Sequence, residues 1–183
     1  MKAILLAGGY GQRLFPATKA TNKHLFLVYD KPMFFYPLSL LMMLGVKEIL
    51  IISNRETIDN FQKILRNIKF IKKDVKISFE IQDKPNGIPE AFIIGEKFLK
   101  NSKKNILILG DNFFHSNKII SEMKQSLSKN FNSKIFLYKV KDPSNFGSIN
   151  FNKKKNKIQS LVEKPKKPQN NFAVTGLYFF DKN

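Results

Sequence analysis

Lys2-Ala3-Ile4-Leu5-Leu6-Ala7-Gly8-Gly9-Tyr10-Gly11-Gln12-Arg13-Leu14 is the stretch on which the fold turns. Its first half is a short apolar run closed by glycine, which reads as a buried strand. Its second half places three glycines and an arginine at the strand exit. Glycine lets backbone N–H groups approach a phosphate closely. Arg13 adds a planar, permanently charged fork. The spacing is neither the G-x-G-x-x-G of dinucleotide sites nor a P-loop, because no Lys-Ser/Thr closes it. A tight strand exit with a surface arginine is the alternative reading of the same residues.

Outward from this loop, residues 8–32 read as a long irregular stretch, and structureless loops beyond ~12–15 residues usually carry function. A helix is expected over 37–44, with Pro37 at its first position and Gly45 as its stop. Glu48–Ser53 is a β-branched apolar run, hence a strand. Ile58, Phe61, Ile64 and Leu65 recur at helical spacing, and residues 75–81 alternate with period two, as a half-buried strand does. The segment 82–87 is turn-rich, 89–99 reads as one helix, and 105–109 as a buried strand ended by Gly110-Asp111-Asn112. Ser116 is positioned to cap a helix bearing Ile119, Ile120, Met123 and Leu127. Residues 133–140 form a further strand. The pattern then becomes all strand, over 147–151, 157–162 and 172–180, with a polar turn at 152–156. Strand–helix alternation over the first 140 residues predicts a mostly parallel central sheet with helices on both faces, an α/β three-layer sandwich. The β-rich C-terminal part predicts an added antiparallel layer.

Composition narrows the function classes. Hydrophobic residues make up 43% of the 183, enough for a core. With no cysteine, disulfides and thiolate metal sites are excluded. His24 and His115 form no metal-ligand spacing, and no Ser-His-Asp arrangement is detectable. The apolar run at the N-terminus is too short for a signal peptide, and no run reaches the ~20 residues of a membrane span. A soluble, cytoplasmic protein with no membrane partner is the expectation. The net charge of +18 invites a nucleic-acid-binding reading. Only Arg13, Arg55 and Arg66 are arginine among the 32 basic residues, however, and the lysines are scattered in doublets and one triplet. A solvated lysine-rich surface accounts for that pattern, and no specific nucleic-acid partner is expected.

In open parallel sheets ligands bind outside the carboxyl ends of the strands. Four motifs fall at such ends: the glycine loop, Gly110-Asp111-Asn112, Val162-Glu163-Lys164-Pro165 and the 82–87 segment. An aspartate after a strand is a hard-oxygen ligand suited to Mg²⁺ bridging phosphates, or else a turn residue. The Gln82 amide offers a donor and an acceptor, as base-edge recognition needs. Phosphate donors, a carboxylate, a base reader and a second cation on one sheet edge suit nucleotidyl transfer.

At these residues the chain resembles the sugar-1-phosphate nucleotidylyltransferases, and most closely the glucose-1-phosphate thymidylyltransferases. The likeness lies in Leu6-Ala7-Gly8-Gly9-Tyr10-Gly11-Gln12-Arg13-Leu14, Tyr29-Asp30-Lys31-Pro32-Met33 and Tyr36-Pro37-Leu38-Ser39. It continues in Gly110-Asp111-Asn112, Glu163-Lys164-Pro165 and Ala173-Val174-Thr175-Gly176-Leu177-Tyr178. The resemblance implies the Rossmann-like nucleotide-diphospho-sugar transferase fold as a single domain over 1–183, and a reaction of dTTP with α-D-glucose 1-phosphate giving dTDP-glucose and pyrophosphate. Mg²⁺ is the implied cofactor, a homo-oligomer the implied assembly, and deoxysugar (dTDP-rhamnose) and surface-polysaccharide synthesis the implied context. It implies that Gly8, Gly11, Gln12, Arg13 and Lys23 hold the nucleotide, with Arg13, Lys23 and Lys164 catalytic. Gln82 and Gly87 would contact thymine, and Asp111 would bind the metal. Gly147, Glu163 and Val174 would hold the sugar, and Lys164 its phosphate. The chain departs from the family at His24-Leu25-Phe26-Leu27, Pro89-Glu90 and Phe146, where Gln-Leu-Leu-Pro, Ala-Gln and Tyr are usual. The family's second metal-binding aspartate lies in a later segment, so the chain is expected to be incomplete at its C-terminus, with weak nucleotide binding and little turnover. A regulatory subunit without activity is the alternative reading.

Overall fold

The computed structural model describes residues 1–68, 74–84, 86–152 and 157–181. Its centre is an eight-stranded sheet in the order β5 (Lys76–Ile81), β4 (Glu48–Ser53), β1 (Lys2–Ala7), β6 (Lys104–Leu109), β10 (Phe172–Asp181), β8 (Gly147–Asn152), β9 (Lys157–Glu163), with β7 (Ser133–Lys139) also paired to β10. The first four of these, β5, β4, β1 and β6, pair in parallel. The chain passes from β1 to its neighbour β4 and then to β5, and returns to the other side of β1 as β6. That reversal is the topological switch point, and it opens a crevice at the carboxyl ends of β1 and β6.

The apolar character of β1, β4 and β6 follows from burial on both faces. On one face Ala3, Leu5, Ile49, Ile51, Ile106 and Ile108 meet α1 (Phe35–Met43), α2 (Ile58–Arg66) and α5 (Ile119–Ser128). On the other, Ile4, Leu6, Leu50, Ile52 and Leu107 meet α3 (Glu90–Ile94) and α4 (Glu96–Leu99). Strand β5 lies at the sheet edge, which explains its alternation: Ile77 and Phe79 pack on the first face while the residues between them face outward. Phe61 is fully buried with its ring 4.9 Å from Phe34 in an edge-to-face contact. Truncating such a side chain costs about 3–5 kcal/mol. No helix among the described residues is long and apolar enough to cross a membrane.

Four local expectations are revised. The helix expected from Pro37 begins two residues earlier, and Pro37 is tolerated because N–H groups of a first turn lack helical partners anyway. The helix over 89–99 is two, broken at Gly95, whose backbone packs on the side chains of Ile4 and Leu50. Ser116 precedes the α5 cap position, which is Lys118, and its hydroxyl accepts from the Lys118 N–H at 3.3 Å. The C-terminal strands β7 (Ser133–Lys139), β8 (Gly147–Asn152), β9 (Lys157–Glu163) and β10 (Phe172–Asp181) extend the central sheet as antiparallel members and form no separate layer. The physical reason is that β10 pairs directly with the free edge of β6, Leu177 opposite Ile108. Of the polar turn expected at 152–156, Asn152 ends β8 and the remaining residues fall outside the described ones.

Candidate functional site

The irregular stretch after β1 is organised by its own hydrogen bonds. It contains three single turns of 3₁₀ helix, at Gln12–Leu14, Ala17–Lys19 and Lys23–Leu25, and a short hairpin of β2 (Leu27–Val28) and β3 (Lys31–Pro32). Gly11 has φ 61°, a left-handed conformation that favours glycine, and a Cβ there would meet Thr18 Cγ2 at 2.9 Å. The Thr18 hydroxyl donates to the Gly11 carbonyl at 3.1 Å. Arg13 lies on the exposed side of this loop and makes no ion pair among the described residues.

Asn22 ties the loop to the strand ends. Its Nδ2 donates to the Ala7 carbonyl at 2.8 Å and lies 3.2 Å from Thr57 Oγ1. Because a carbonyl only accepts, the Asn22 amide is oriented with Oδ1 toward His24. That oxygen accepts from the His24 N–H at 2.9 Å and lies 2.6 Å from Nδ1. The imidazole therefore carries its proton on Nδ1. Burial pushes His24 down to about 4, with the Asp111 carboxylate opposing that shift and the Lys23 ammonium adding to it. His24 is thus a neutral structural residue beside the site.

Between Asn22 and His24, Lys23 projects across the crevice and forms an ion pair with Asp111, 88 residues away. Burial acts to raise the Asp111 carboxyl, but the Lys23 hydrogen bond and charge outweigh it and hold the group below the usual carboxylate range. Lys23 lines two adjoining cavities. One, of about 530 Å³, is bounded by Tyr10, Gly11, Gln12, Arg13 and Leu14. The other, of about 180 Å³, includes Gly9, Gln82, Gly87, Leu109 and Asp111. Gly8 lies against Gln82, one of the residues lining the second: a Cβ on Gly8 would lie 2.7 Å from Gln82 Oε1. The residues expected to hold a nucleotide and a metal are therefore brought to one crevice.

The Gln82 amide departs from the expected dual role. Its Nε2 donates to Glu90 Oε2 at 2.6 Å, with the Gly87 carbonyl at 3.5 Å, so its donor side is engaged inside the protein. Asp83, next to Gln82 in this turn, pairs with the exposed Arg55 at 3.0 Å.

Gly147, Glu163 and Val174 come together on the β8–β9–β10 side. Gly147 is opposite Glu163 in the ladder, and a Cβ on Gly147 would meet Glu163 Oε2 at 3.2 Å and Val174 Cβ at 3.5 Å. Lys164 lies 3.7 Å from Glu163 Oε1, and both side chains are more than half exposed. Its backbone holds φ 45°, unusual for a side-chain-bearing residue, while its N–H donates to the Phe146 carbonyl at 3.0 Å. Gly176 joins the two groups of residues: a side chain there would meet Asn112 Nδ2 and, at 2.6 Å, Leu109 Cδ1. The β10 register slips between Val174 and Tyr178 at the same place.

Asn22, Glu90 and Gly176 escaped the sequence reading as contributors to the site. Asn22 had a legible signal, an asparagine before a short helical turn. The contacts of Glu90 and Gly176 are tertiary and leave none.

Residues 2–183 match the nucleotidyl transferase family. The chain belongs to that family. Similar nucleotidyl transferases include glucose-1-phosphate thymidylyltransferase of Neisseria gonorrhoeae, 43% identical over 99% of this chain and 62% of that protein. Glucose-1-phosphate thymidylyltransferase of Mycobacterium tuberculosis (strain CDC 1551 / Oshkosh) is 40% identical over 100% of this chain and 62% of its own length. The chain thus spans about three fifths of these relatives (62%). Among solved structures, a Bacillus anthracis protein assigned as a glucose-1-phosphate thymidylyltransferase, in complex with a sucrose, superposes with TM-score 0.88 at 35% identity, over 99% of this chain and 71% of that one. UDP-glucose pyrophosphorylase complexed with UDP-glucose superposes with TM-score 0.82 at 26% identity, over 98% and 75%.

Proposed function

We propose that this chain carries the reaction centre of a glucose-1-phosphate thymidylyltransferase, joining dTTP and α-D-glucose 1-phosphate into dTDP-glucose with release of pyrophosphate. The observation that carries the reading is the convergence of the Gly8–Arg13 loop, the Lys23–Asp111 pair and Gln82 on the β1/β6 switch point. The names of the relatives favour thymidylyl and glucose 1-phosphate as the reacting groups.

On this reading a phosphate oxygen of the sugar phosphate attacks the α-phosphorus of the nucleotide in line, and pyrophosphate leaves. Catalysis is mostly positioning and charge neutralisation. Backbone N–H groups of the glycine loop face the triphosphate, and Arg13 stabilises the departing pyrophosphate. Lys23 grips the triphosphate between the two cavities it lines. Lys164 neutralises the sugar phosphate, while Glu163, Gly147 and Val174 hold the sugar. Asp111 is the residue that would hold Mg²⁺. Among the described residues no cluster of three metal-ligating side chains exists. A single partly buried carboxylate, kept ionised by Lys23, fits a cation that takes its other ligands from water and substrate phosphates. Such an ion, when bound, supplies charge neutralisation on the phosphoryl oxygens.

The test is a pyrophosphate-release assay with dTTP, glucose 1-phosphate and Mg²⁺, paired with calorimetric titration of dTTP. Saturable dTTP binding abolished by Arg13→Ala with Lys23→Ala supports the reading. Absence of any nucleotide binding refutes it.

A further inference from the structure

Glu90 stands outside every role assigned above, yet it is the group that orients Gln82. Its Oε2 lies 2.6 Å from Gln82 Nε2, and its Oε1 accepts from Asn86 Nδ2 at 2.9 Å. A carboxylate has no hydrogen to give, so the nitrogen of the Gln82 amide must face Glu90. The other hydrogen of that nitrogen is directed to the Gly87 carbonyl. Hydrogen bonds from Asn86 and Gln82 hold the Glu90 carboxyl below its usual range, so it remains an acceptor at neutral pH. The amide oxygen is left over Gly8, at the edge of the cavity shared with Lys23 and Asp111. Among the described residues it accepts no hydrogen bond, although Gln82 as a whole is buried.

We infer that Glu90 is a specificity-determining positioning residue: by holding the Gln82 nitrogen it makes Gln82 a pure acceptor in the cleft, which selects a base presenting a ring N–H. Thymine and uracil carry that hydrogen at N3, between two carbonyls. Cytosine has a bare N3 lone pair there, which would oppose the Gln82 oxygen. A site built to accept one hydrogen rejects the analogue lacking it, because a buried polar group is otherwise unpaired. The inference rests on the proposed nucleotide-binding role of the crevice.

The experiment is equilibrium titration of the full chain with dTTP, dUTP and dCTP, for the wild type, Glu90→Gln, Glu90→Ala and Glu90→Lys. Glu90→Gln retains an oxygen acceptor for Gln82 and is expected to keep the preference for dTTP and dUTP over dCTP. Glu90→Lys only donates, which turns the Gln82 oxygen toward position 90 and its nitrogen into the cleft. The dTTP:dCTP affinity ratio then falls about tenfold or more, the equivalent of one misplaced hydrogen bond. Glu90→Ala, with no group to hold either end, gives a smaller fall and carries the test if the lysine variant does not fold. A merely structural role would weaken all three nucleotides together and leave the ratio unchanged, which would overturn the inference alone. A wild type that binds none of them would overturn the reading of the crevice itself, and the inference with it.

Discussion

The crevice at β1 and β6 and the ladder of β8, β9 and β10 are built differently. In the first, side chains distant in sequence lock one another: Lys23 with Asp111, Asn22 with Ala7 and Thr57, Gln82 with Glu90. In the second, the backbone register brings Gly147 to Glu163, and among the described residues the expected site residues show one side-chain pairing, the exposed Glu163–Lys164 contact. An interlocked site is preorganised but costly to perturb. An exposed one is tolerant, and gains its order when a ligand arrives.

The largest expected effects fall on the interlocked side. Asp111→Asn and Arg13→Ala should each lower the rate of pyrophosphate release about 10²–10³-fold, the size seen for loss of one charge-stabilising group. Single-turnover kinetics at saturating dTTP checks this, and a loss under threefold would remove either residue from the reaction.

Acid should loosen the same region. His24 is depressed to about 4 from an unfolded value of 6.5, so between those values the unfolded chain binds more protons. Its contribution is complete above about pH 6.5 and lost as pH falls toward 4, on the order of 3 kcal/mol. Asp111, also depressed, contributes with the same sign at lower pH. Urea denaturation across that range measures the slope, and a His24→Gln variant should flatten it.

Asn22→Leu keeps the volume but removes the buried acceptor of the His24 N–H and Nδ1, and one of the two donors to the Ala7 carbonyl. A loss of about 2–3 kcal/mol in unfolding free energy is expected. A shift of the urea midpoint equivalent to less than 0.5 kcal/mol would mean that water replaces the amide.

Two glycine substitutions sharpen the contrast. Gly8→Ala places a methyl 2.7 Å from Gln82 Oε1, on an amide that Glu90 fixes through its Nε2. About a tenfold loss of dTTP affinity is expected, equivalent to one hydrogen bond. Gly147→Ala meets Glu163 Oε2 at 3.2 Å, the end of an exposed side chain free to move. It should raise the KM for glucose 1-phosphate a few-fold and leave dTTP binding unchanged. Least of all, Lys164→Ala should change thermal stability by under about 0.5 kcal/mol, as exposed ion pairs do, while impairing use of the sugar phosphate. Equal effects of the two glycine variants on dTTP binding would erase the distinction between the regions.

The sequence alone determined the elements with strong periodicity and the positions of the chemistry. Apolar runs specified β1, β4 and β6, and the period-two alternation of 75–81 marked a half-buried strand, because burial on two faces or one dictates those patterns. Strand ends also showed where the glycine loop and Asp111 would lie, since parallel sheets present ligands at their carboxyl ends. Tertiary structure alone decided the rest. Whether the C-terminal strands form a layer or join the sheet depends on the free edge of β6, which no local pattern encodes. The orientation of the Gln82 amide depends on Glu90 eight residues away, the pairing of Lys23 on Asp111 eighty-eight residues away, and the close approach of β10 on the missing side chain at Gly176. Hydrogen bonds and van der Waals contacts act over a few ångströms, so which groups meet is set only once the chain has folded back on itself.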